Sequence, residues 1–470
     1  MTQRKASTIP PVRGEETLWF ESALLPEGWA RRVRITARDG NIRAVEAGMD
    51  PVDGDECHGA GVPGLPNLHS HAFQRAIAGL TERRGPTEDS FWTWRELMYR
   101  FIERMDPEQL EAITALAFAE MLEAGFTRVG EFHYLHQDRA GVAFADPGEL
   151  VTRVAAAAAD TGIALTLLPT FYAHGGFGAS EPSARQRRFV TDLERFTRIV
   201  ESSRKAARAL VGANVGVAPH SLRAVAAGEL PALIALAAGG PIHLHIAEQV
   251  REVEECVAWC GRRPIEYLFE TSPVDDRWCL VHATHANAQE LQRIAAVGAV
   301  VGLCPMTEAS LGDGIFPAAE FRGLRGRLGI GTDSNVLLDA GAELRMLEYS
   351  QRLTRRARNV LAGEAGGSTG RTLFDAALAG GAQALLGASA ASHVALVAGA
   401  PLDLVSLDTR HPALIERRED EILDSWIFAA GRAVIDCVWR AGEKVVEGGR
   451  HRRRDALVSR YRRAMKTLRA

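Results

Sequence analysis

The feature that most constrains the fold is an alternation of short, β-branched apolar runs with longer helical stretches between about residues 60 and 390. The strand candidates are "GAGVPGLPNLH", "FTRVGEFHY", "IALTLLPTFY", "NVGVAPH", "PIHLHIAE", "WCLVHATH", "GAVVGLCP" and "RLGIGTDSN". Eight strands separated by helices is the count of a (β/α)8 barrel. We therefore predict an α/β fold with a TIM-like barrel over residues 61–394. An open doubly wound sheet is the alternative, but "GAGVPG" precedes its strand, whereas a phosphate-binding loop would follow it.

The two flanks of this region have a different pattern. Residues 15–58 and about 395–450 consist of short alternating runs, with "ARDGN" and "RAGEK" as hairpin turns. We predict that residues 1–60 and 395–470 form one small β-sandwich domain from both chain ends, followed by a C-terminal helix.

Composition excludes several classes of protein. The net charge is −4, so no strong field attracts nucleic acid or a membrane, and the basic residues near the C-terminus indicate a solvated helix. No apolar run reaches membrane-spanning length, and the first residues lack the apolar core of a signal peptide. The six cysteines form no Cys-x-x-Cys pair, which favours reduced thiols and a cytoplasmic protein.

Polar side chains stand at the ends of most predicted strands. They are His69 and His71, then Glu131, His133 and Tyr134, then His220, then His245 with Glu248 shortly after it, then His282, and finally Asp333. Catalytic groups of such barrels lie at the C-terminal ends of the strands. This pattern predicts one functional site at that end of the barrel.

The strand-end residues include the donors that a hydrolytic metal ion needs. His69 and His71 are two residues apart on one strand, so their imidazoles point to the same side. With His245 and Asp333 they supply three nitrogen donors and one carboxylate, which suits one divalent ion per chain, zinc or iron. His243 is a second choice on the fifth strand, but His245 lies nearer the strand's C-terminal end and is favoured.

The motifs "NLHSH", "HIAE", "LVHATH" and "GTDSN" resemble the amidohydrolase superfamily in its mononuclear deaminase branch. The longer runs "HAFQRAIAGL" and "DSFWTWRELMYR" are similar to one family within it, the formimidoylglutamate deiminases. The fourth strand offers no lysine for carbamylation, which agrees with one metal ion. The resemblance covers nearly the whole chain and implies hydrolysis of N-formimino-L-glutamate to N-formyl-L-glutamate and ammonia, in histidine degradation.

The resemblance also implies catalytic roles. Asp333 would accept a proton from the attacking water, and His282 would orient the nucleophile and stabilise the developing charge. Glu248 would hydrogen-bond the imino nitrogen and protonate it as ammonia leaves. A helix-terminal carboxylate without a catalytic role is the alternative for Glu248.

The substrate carries two carboxylates, for which arginine has the matching fork geometry. The resemblance assigns their binding to Arg95 and Arg223, helped by Gln74, Tyr134 and His220, and implies a homodimer. A lid function of the tryptophan-rich segment around Arg95, and the glutamate or aspartate form of the substrate, stay open. The rival functions are a deaminase of a nucleobase-like or other amidine substrate, and a non-catalytic barrel homologue. The cytidine-deaminase motif His-x-Glu with Pro-Cys-x-x-Cys is absent from the sequence.

Overall fold

The computed structural model describes residues 15–85, 89–388 and 393–470. The prediction about a signal peptide falls largely on residues 1–14, outside the described part. In chain order the strands are β1 Glu15–Leu25, β2 Gly28–Arg38, β3 Asn41–Glu46, β4 Glu56–Pro63, β5 Leu65–Ser70, β6 Phe126–His133, β7 Ala164–Phe171, β8 Asn214–Val215, β9 Ala218–Pro219, β10 Ile242–Ile246, β11 Trp278–His282, β12 Val300–Leu303, β13 Arg327–Ile330, β14 Leu404–Leu407, β15 Ile435–Arg440, β16 Glu443–Glu447 and β17 Arg450–His451.

The helices occupy the intervals that the sequence pattern leaves between the strands. They are α1 Phe91–Ile102, α2 Pro107–Glu123, α3 Glu149–Thr161, α4 Leu193–Ala207, α5 Leu230–Ala237, α6 Val250–Cys260, α7 Pro264–Thr271, α8 Ala288–Val297, α9 Pro305–Leu311, α10 Ala318–Gly323, α11 Ala340–Arg355, α12 Thr369–Leu386, α13 Asp420–Ser425 and α14 Arg454–Leu468. Short helical turns cover Ala72–Ile77, Ala184–Gln186, Trp426–Ala430 and Gly431–Val434.

The parallel strands form the predicted α/β barrel. Strands β5 to β8 pair in sequence, β9 pairs with β7, and β10 to β13 form a second parallel run. Parallel bridges Val217–Ile242 and Ser70–Asp333 join the two runs and close the ring. The strands are buried along their length, as expected for a parallel sheet covered by helices.

The predicted fourth strand is divided into the short strands β8 and β9. Gly216 lies between them, and a Cβ atom there would come within 2.3 Å of the carbonyl oxygen of Pro241. The chain therefore passes very close to the fifth barrel position at this residue. The break lets Val217 pair with Ile242. His220 comes directly after the end of β9, as the sequence predicted for the fourth strand.

Strands from the two chain ends join in one sheet with the order β17-β16-β15-β14-β4-β1-β2-β3. Strand β4 pairs parallel with β1 and antiparallel with β14, so the N-terminal and C-terminal parts meet along β4. A separate apolar cluster that includes Phe20, Ile35 and Trp439 packs at this sheet. The predicted domain boundaries near residues 60 and 395 stay a prediction.

Two helices illustrate local sequence signals. Helix α2 begins after Asp106, whose carboxylate accepts the backbone N–H of Gln109 at 2.8 Å, as the sequence predicted. Helix α14 was predicted to be solvated, but it is partly buried: Arg454 contacts Glu120 and Glu123 of α2 at 3.0 Å. Leu457 is fully buried on the same helix. The basic terminus is therefore partly neutralised within the chain.

Within the three described ranges, no helix is both long enough and apolar enough to cross a membrane.

Candidate active site

The metal-ligand candidates converge at the C-terminal ends of the barrel strands. Ligand atoms of His69, His71, His245 and Asp333 all lie within 4.8 Å of one another, and all four residues are buried. The Nε2 atom of His69 is 3.2 Å from Nε2 of His71 and 3.1 Å from Nε2 of His245. Oδ1 of Asp333 is 3.2 Å from Nε2 of His71 and 3.6 Å from Nε2 of His69.

The backbone at this point depends on a glycine. A Cβ atom at Gly331 would lie 2.8 Å from both the Cβ and the carbonyl oxygen of His69. This close approach lets the backbone N–H groups of Thr332 and Asp333 donate to the carbonyl of His69 at 3.0 Å. The first and eighth barrel positions are thereby joined directly at two of the candidate ligands.

The ring orientations fit a bound cation. His71 Nδ1 donates to the carbonyl of Phe132 at 2.8 Å, and His245 Nδ1 donates to the carbonyl of His220 at 3.0 Å. A neutral imidazole carries only one N–H, so Nε2 of His71 and Nε2 of His245 have no proton. Both atoms face the Asp333 carboxylate. Three acceptor atoms that converge on one point, beside a third imidazole whose Nδ1 has no partner among the described residues, suit a bound cation. The residues present therefore fit a divalent metal ion.

Burial sets the protonation of this cluster. It lowers the pKa of His69 to about 3 and also lowers the pKa of His71 and His245. Burial alone would raise the pKa of Asp333, but the hydrogen bond with His69 and the neighbouring His71 hold it below its ordinary range. The cluster therefore presents neutral imidazoles and an ionised carboxylate, which are the forms that bind metal.

Two ionisable side chains lie beside the cluster. His282 Nε2 is 3.8 Å from Oε1 of Glu248 and 3.7 Å from Oδ2 of Asp333. Burial is the main reason that the pKa of Glu248 is raised to about 7. Burial opposes protonation of His282, but the nearby carboxylates, Glu248 first, raise the pKa of His282 to about 10. A carboxyl group with a pKa near neutrality beside a cationic imidazole is suited to proton transfer.

A cavity of about 590 Å³ opens onto these groups. This volume lies within the usual range for small-molecule sites. Its lining includes all five predicted substrate-binding residues, together with Glu248, His282 and Asp333. The cluster and the substrate-binding candidates therefore share one space.

Two of the three arginines that line the cavity lack full hydrogen bonding. The buried Nε atoms of Arg95 and Arg223 have no partner among the described residues. The guanidinium carbon of Arg95 lies 4.6 Å from the Trp92 ring centre, and that of Arg223 lies 5.6 Å from it. Arg223 also approaches Oε2 of Glu248 at 3.9 Å. Both side chains line the cavity, where guanidinium groups can bind an anionic ligand.

The three other predicted binding residues are buried at the cavity wall. Gln74 donates from Nε2 to the Tyr134 hydroxyl at 2.8 Å, while its Oε1 is unpartnered within the described chain. Burial raises the pKa of Tyr134, so its hydroxyl stays protonated. His220 lies 3.2 Å from the hydroxyl of Ser221 through Nδ1, and burial lowers its pKa.

Three strand residues singled out by the sequence lie apart from the metal cluster. Phe132 packs against His69 and His245, so Glu131 and His133 point to the opposite face of β6 and do not line the cavity. His243 contacts the carbonyl of Ala384 through Nε2 at 2.8 Å, deeper in the barrel.

Sequence reasoning missed several groups at the site. Tyr99 and Tyr172 line the cavity, as does Arg251, whose guanidinium carbon lies 4.5 Å from the Trp92 ring centre. Glu308 Oε1 lies 3.2 Å from Nδ1 of His282. Glu308 follows the seventh strand on a short helix, so a search that included the first turn after each strand could have found it.

Comparisons with known proteins agree with this architecture. Residues 61–445 match the model of the Amidohydrolase family, and residues 17–59 match the model described as Formimidoylglutamate deiminase HutF, N-terminal domain. The chain is 50% identical over 438 residues to formimidoylglutamate deiminase of Pseudomonas aeruginosa, covering 92% of this chain and 95% of that protein. It is 27% identical to the 8-oxoguanine deaminase of the same species, over 92% of this chain and 94% of that one.

Solved structures extend the comparison to three dimensions. The crystal structure of an amidohydrolase from Brucella melitensis matches with a TM-score of 0.93 and 51% identity, over 97% of this chain and 100% of that one. An adenosine deaminase from Xanthomonas campestris, solved with bound zinc, matches with a TM-score of 0.80 at 23% identity, over 98% of this chain and 100% of that one. The second match supports the fold alone.

Proposed function

This chain belongs to the amidohydrolase family, and from that membership and its site we propose that it hydrolyses N-formimino-L-glutamate to N-formyl-L-glutamate and ammonia, a step of histidine degradation. The observation that carries this proposal is one cavity that Arg95 and Arg223 share with a three-histidine, one-aspartate cluster. The two arginines can bind the two carboxylates of the substrate, and a metal ion at the cluster would activate water for attack on the amidine carbon.

The cluster would hold one divalent ion through His69, His71, His245 and Asp333. When bound, such an ion supplies hydroxide at neutral pH by lowering the pKa of a coordinated water from about 15.7 toward about 7. We propose zinc, because nitrogen donors and a single carboxylate suit it; iron(II) is the alternative with the same donor preference.

The protein groups then move the protons of the reaction. Asp333 accepts the proton of the attacking water as the new carbon–oxygen bond forms. His282 carries a positive charge beside the reacting centre and stabilises the tetrahedral intermediate. Glu248 donates a proton to the imino nitrogen, and Asp333 passes the proton of the attacking water to the same nitrogen. The carbon–nitrogen bond then breaks, ammonia leaves, and the hydroxyl of the intermediate returns its proton to Glu248 as the formyl carbonyl forms. A pKa near 7 lets Glu248 hold and release this proton at neutral pH.

Substrate binding is assigned to the other residues of the cavity. Arg95 and Arg223 each take one carboxylate, because both line the cavity beside the cluster. Gln74 and Tyr134 are already joined by a hydrogen bond, and His220 lies beside them. These neutral groups orient the chain between the carboxylates and the formimino carbon without adding charge.

Ammonia release by the metal-loaded protein tests the function. We expect kcat/KM of about 10⁴–10⁸ M⁻¹s⁻¹ for N-formimino-L-glutamate, and loss of activity on chelation. Guanine, cytosine and adenosine serve as controls, because the related deaminases act on ring substrates that need no carboxylate-binding arginines. Turnover of a nucleobase in place of the formimino compound would contradict the proposal. N-formimino-L-aspartate is one methylene shorter than the proposed substrate, so its kcat/KM measures how well the site distinguishes the two compounds.

Arg223 offers a direct test of carboxylate recognition. Arg223→Met removes the donors and the charge, whereas Arg223→Lys keeps the charge but loses the fork. We expect KM to rise about 100-fold in the first and about 10-fold in the second, as lost charge-assisted hydrogen bonds of roughly 1.5–3 kcal/mol imply. An unchanged KM in Arg223→Met would exclude this role.

Two coarser properties belong to the same proposal. We propose a cytoplasmic protein, because all six cysteines are free thiols in the structure. We also propose a homodimer on the family resemblance alone. Light scattering of the purified protein tests the dimer, and cell fractionation tests the location.

A further inference from the structure

We infer that Glu308 is a positioning residue that fixes the orientation of His282 for the hydrolysis, an inference that rests on the proposed function. The observation behind it is the place of one carboxylate oxygen, which lies between a helix start and the imidazole beside the metal cluster.

Regular strand geometry does not fix the direction of the His282 side chain. His282 is the last residue of β11 and has φ of 69°, and Ala283 after it has φ of 47°. Left-handed backbone is costly for residues other than glycine and is retained where surrounding contacts enforce it. The imidazole therefore needs a side-chain contact to hold it toward the cluster.

Glu308 supplies that contact from a fixed position. Its Oε1 accepts the backbone N–H of Cys304 at 2.9 Å and lies 3.2 Å from Nδ1 of His282. Cys304 is the N-cap of α9 and Glu308 occupies the fourth helical position, one residue beyond the position that a capping box uses. Glu308 is 6% exposed, so water does not compete strongly for this oxygen.

The consequence is a defined use of the two imidazole nitrogens. Nδ1–H donates to Glu308, so the other nitrogen, Nε2, faces Oε1 of Glu248 at 3.8 Å and Oδ2 of Asp333 at 3.7 Å. An orienting carboxylate behind a histidine is the arrangement that fixes the direction of a hydrolase imidazole and stabilises its cationic form. Glu308 does not line the cavity. It therefore acts on the reaction only through its contact with His282.

Helix α7 provides a matched control. It also begins with proline at its first position, and Glu266 at its third position accepts the N-cap N–H of Arg263 at 3.1 Å. Glu266 contacts no group of the site. Like Glu308→Ala, Glu266→Ala removes a carboxylate that accepts the N–H of an N-cap residue, although Glu266 lies one position earlier in its helix. It touches no reacting group and therefore separates helix capping from orientation of His282.

The test uses the metal-loaded full chain and measures kcat, KM and bound metal for Glu308→Ala, Glu308→Gln and Glu266→Ala. For Glu308→Ala we expect kcat per bound metal to fall about 100-fold with KM within about threefold, since the contact matters in the transition state. Glu308→Gln keeps an acceptor for Nδ1–H, so its kcat per bound metal should be about 10-fold higher than that of Glu308→Ala. Glu266→Ala should keep the kcat of the unmodified protein.

Two results would overturn the inference. One is a kcat for Glu308→Ala within about threefold of the unmodified protein. The other is an equal loss in Glu308→Ala and Glu266→Ala, which would assign the effect to helix capping.

A second readout does not depend on turnover. Nitrogen-15 NMR of histidine-labelled protein should show hydrogen-bonded Nδ1–H groups for His71, His245 and His282. The His282 signal alone should disappear in Glu308→Ala, and all three should persist in Glu266→Ala. Persistence of the His282 signal in Glu308→Ala would also refute the inference. If the unmodified protein released no ammonia from N-formimino-L-glutamate, the proposed function would fail, while the NMR result would still decide the role of Glu308.

Discussion

Several histidines away from the cluster are held neutral in the interior. Nε2 of His136, of His243 and of His451 each contacts a backbone carbonyl, at 2.7 to 2.9 Å. Burial is the main reason that the pKa of each is lowered to about 4. These rings serve as hydrogen-bond donors, and their protonation opposes the fold.

This predicts loss of stability in acid. Between pH 6.5 and about 4 the unfolded chain binds a proton at His136 and the folded chain does not, so the free energy of unfolding decreases as pH falls across that window. The loss from one such ring reaches about 3 kcal/mol. Urea unfolding of His136→Gln should therefore depend less on pH than unfolding of the unmodified chain.

His393 provides the control for this experiment, because it is exposed. His393→Gln should retain the pH dependence of the unmodified chain. Identical pH dependence in His136→Gln and in the unmodified chain would show that His136 does not titrate differently on folding.

At the scale of elements, the contact between β5 and the end of β13 holds two of the proposed ligands together. Gly331→Ala would place a methyl group 2.8 Å from the His69 Cβ and carbonyl oxygen, so the two strands must separate. We expect bound metal to fall below half an ion per chain, measured by elemental analysis. Gly228→Ala meets no atom within 4 Å and should keep full occupancy. Full occupancy in Gly331→Ala would show that the strands tolerate the shift.

Helix α1 carries the aromatic ring that three guanidinium groups approach. Arg95, Arg223 and Arg251 have their guanidinium carbons 4.6, 5.6 and 4.5 Å from the Trp92 ring centre. We expect Trp92→Leu to raise the KM for N-formimino-L-glutamate about 10-fold with kcat little changed, since exposed to partly buried cation–π contacts contribute about 0.5–2 kcal/mol. Trp92→Phe keeps a ring face and should lose less. Equal KM in all three proteins would assign Trp92 to packing.

The sequence predicted the elements that obey local rules. Strand geometry places His69 and His71 on one side, and helix geometry makes Asp106 a cap. Each of these features can be predicted from one short segment of sequence. The break at Gly216 depends on Pro241, about 25 positions further along the chain. The pairing of Arg454 with Glu123 joins residues 331 positions apart. Glu308 was not predicted because it lies in the first helical turn after β12, beyond the strand ends where the sequence pattern places functional side chains.

At the scale of the whole molecule, the metal cluster ties both halves of the barrel ring together. Its ligands come from β5 and β10 and from the segment after β13, so a bound ion should stabilise the entire fold. We expect chelation to lower the free energy of unfolding by at least about 2.7 kcal/mol at metal concentrations above 100 Kd. Differential scanning calorimetry with and without chelator measures this, with zinc added back as control. An unchanged melting temperature would argue against a bound ion at this cluster.

The sheet shared by both chain ends has a consequence for synthesis on the ribosome. Strand β4 ends at residue 63, and its partner β14 begins at residue 404, so about 340 residues must be added before the two can pair. At roughly 5–20 residues per second this takes roughly 20 to 70 s, during which one edge of β4 stays unpaired in the nascent chain. Completion of this sheet is therefore a late event, and a chaperone that covers apolar strand edges would act during this interval.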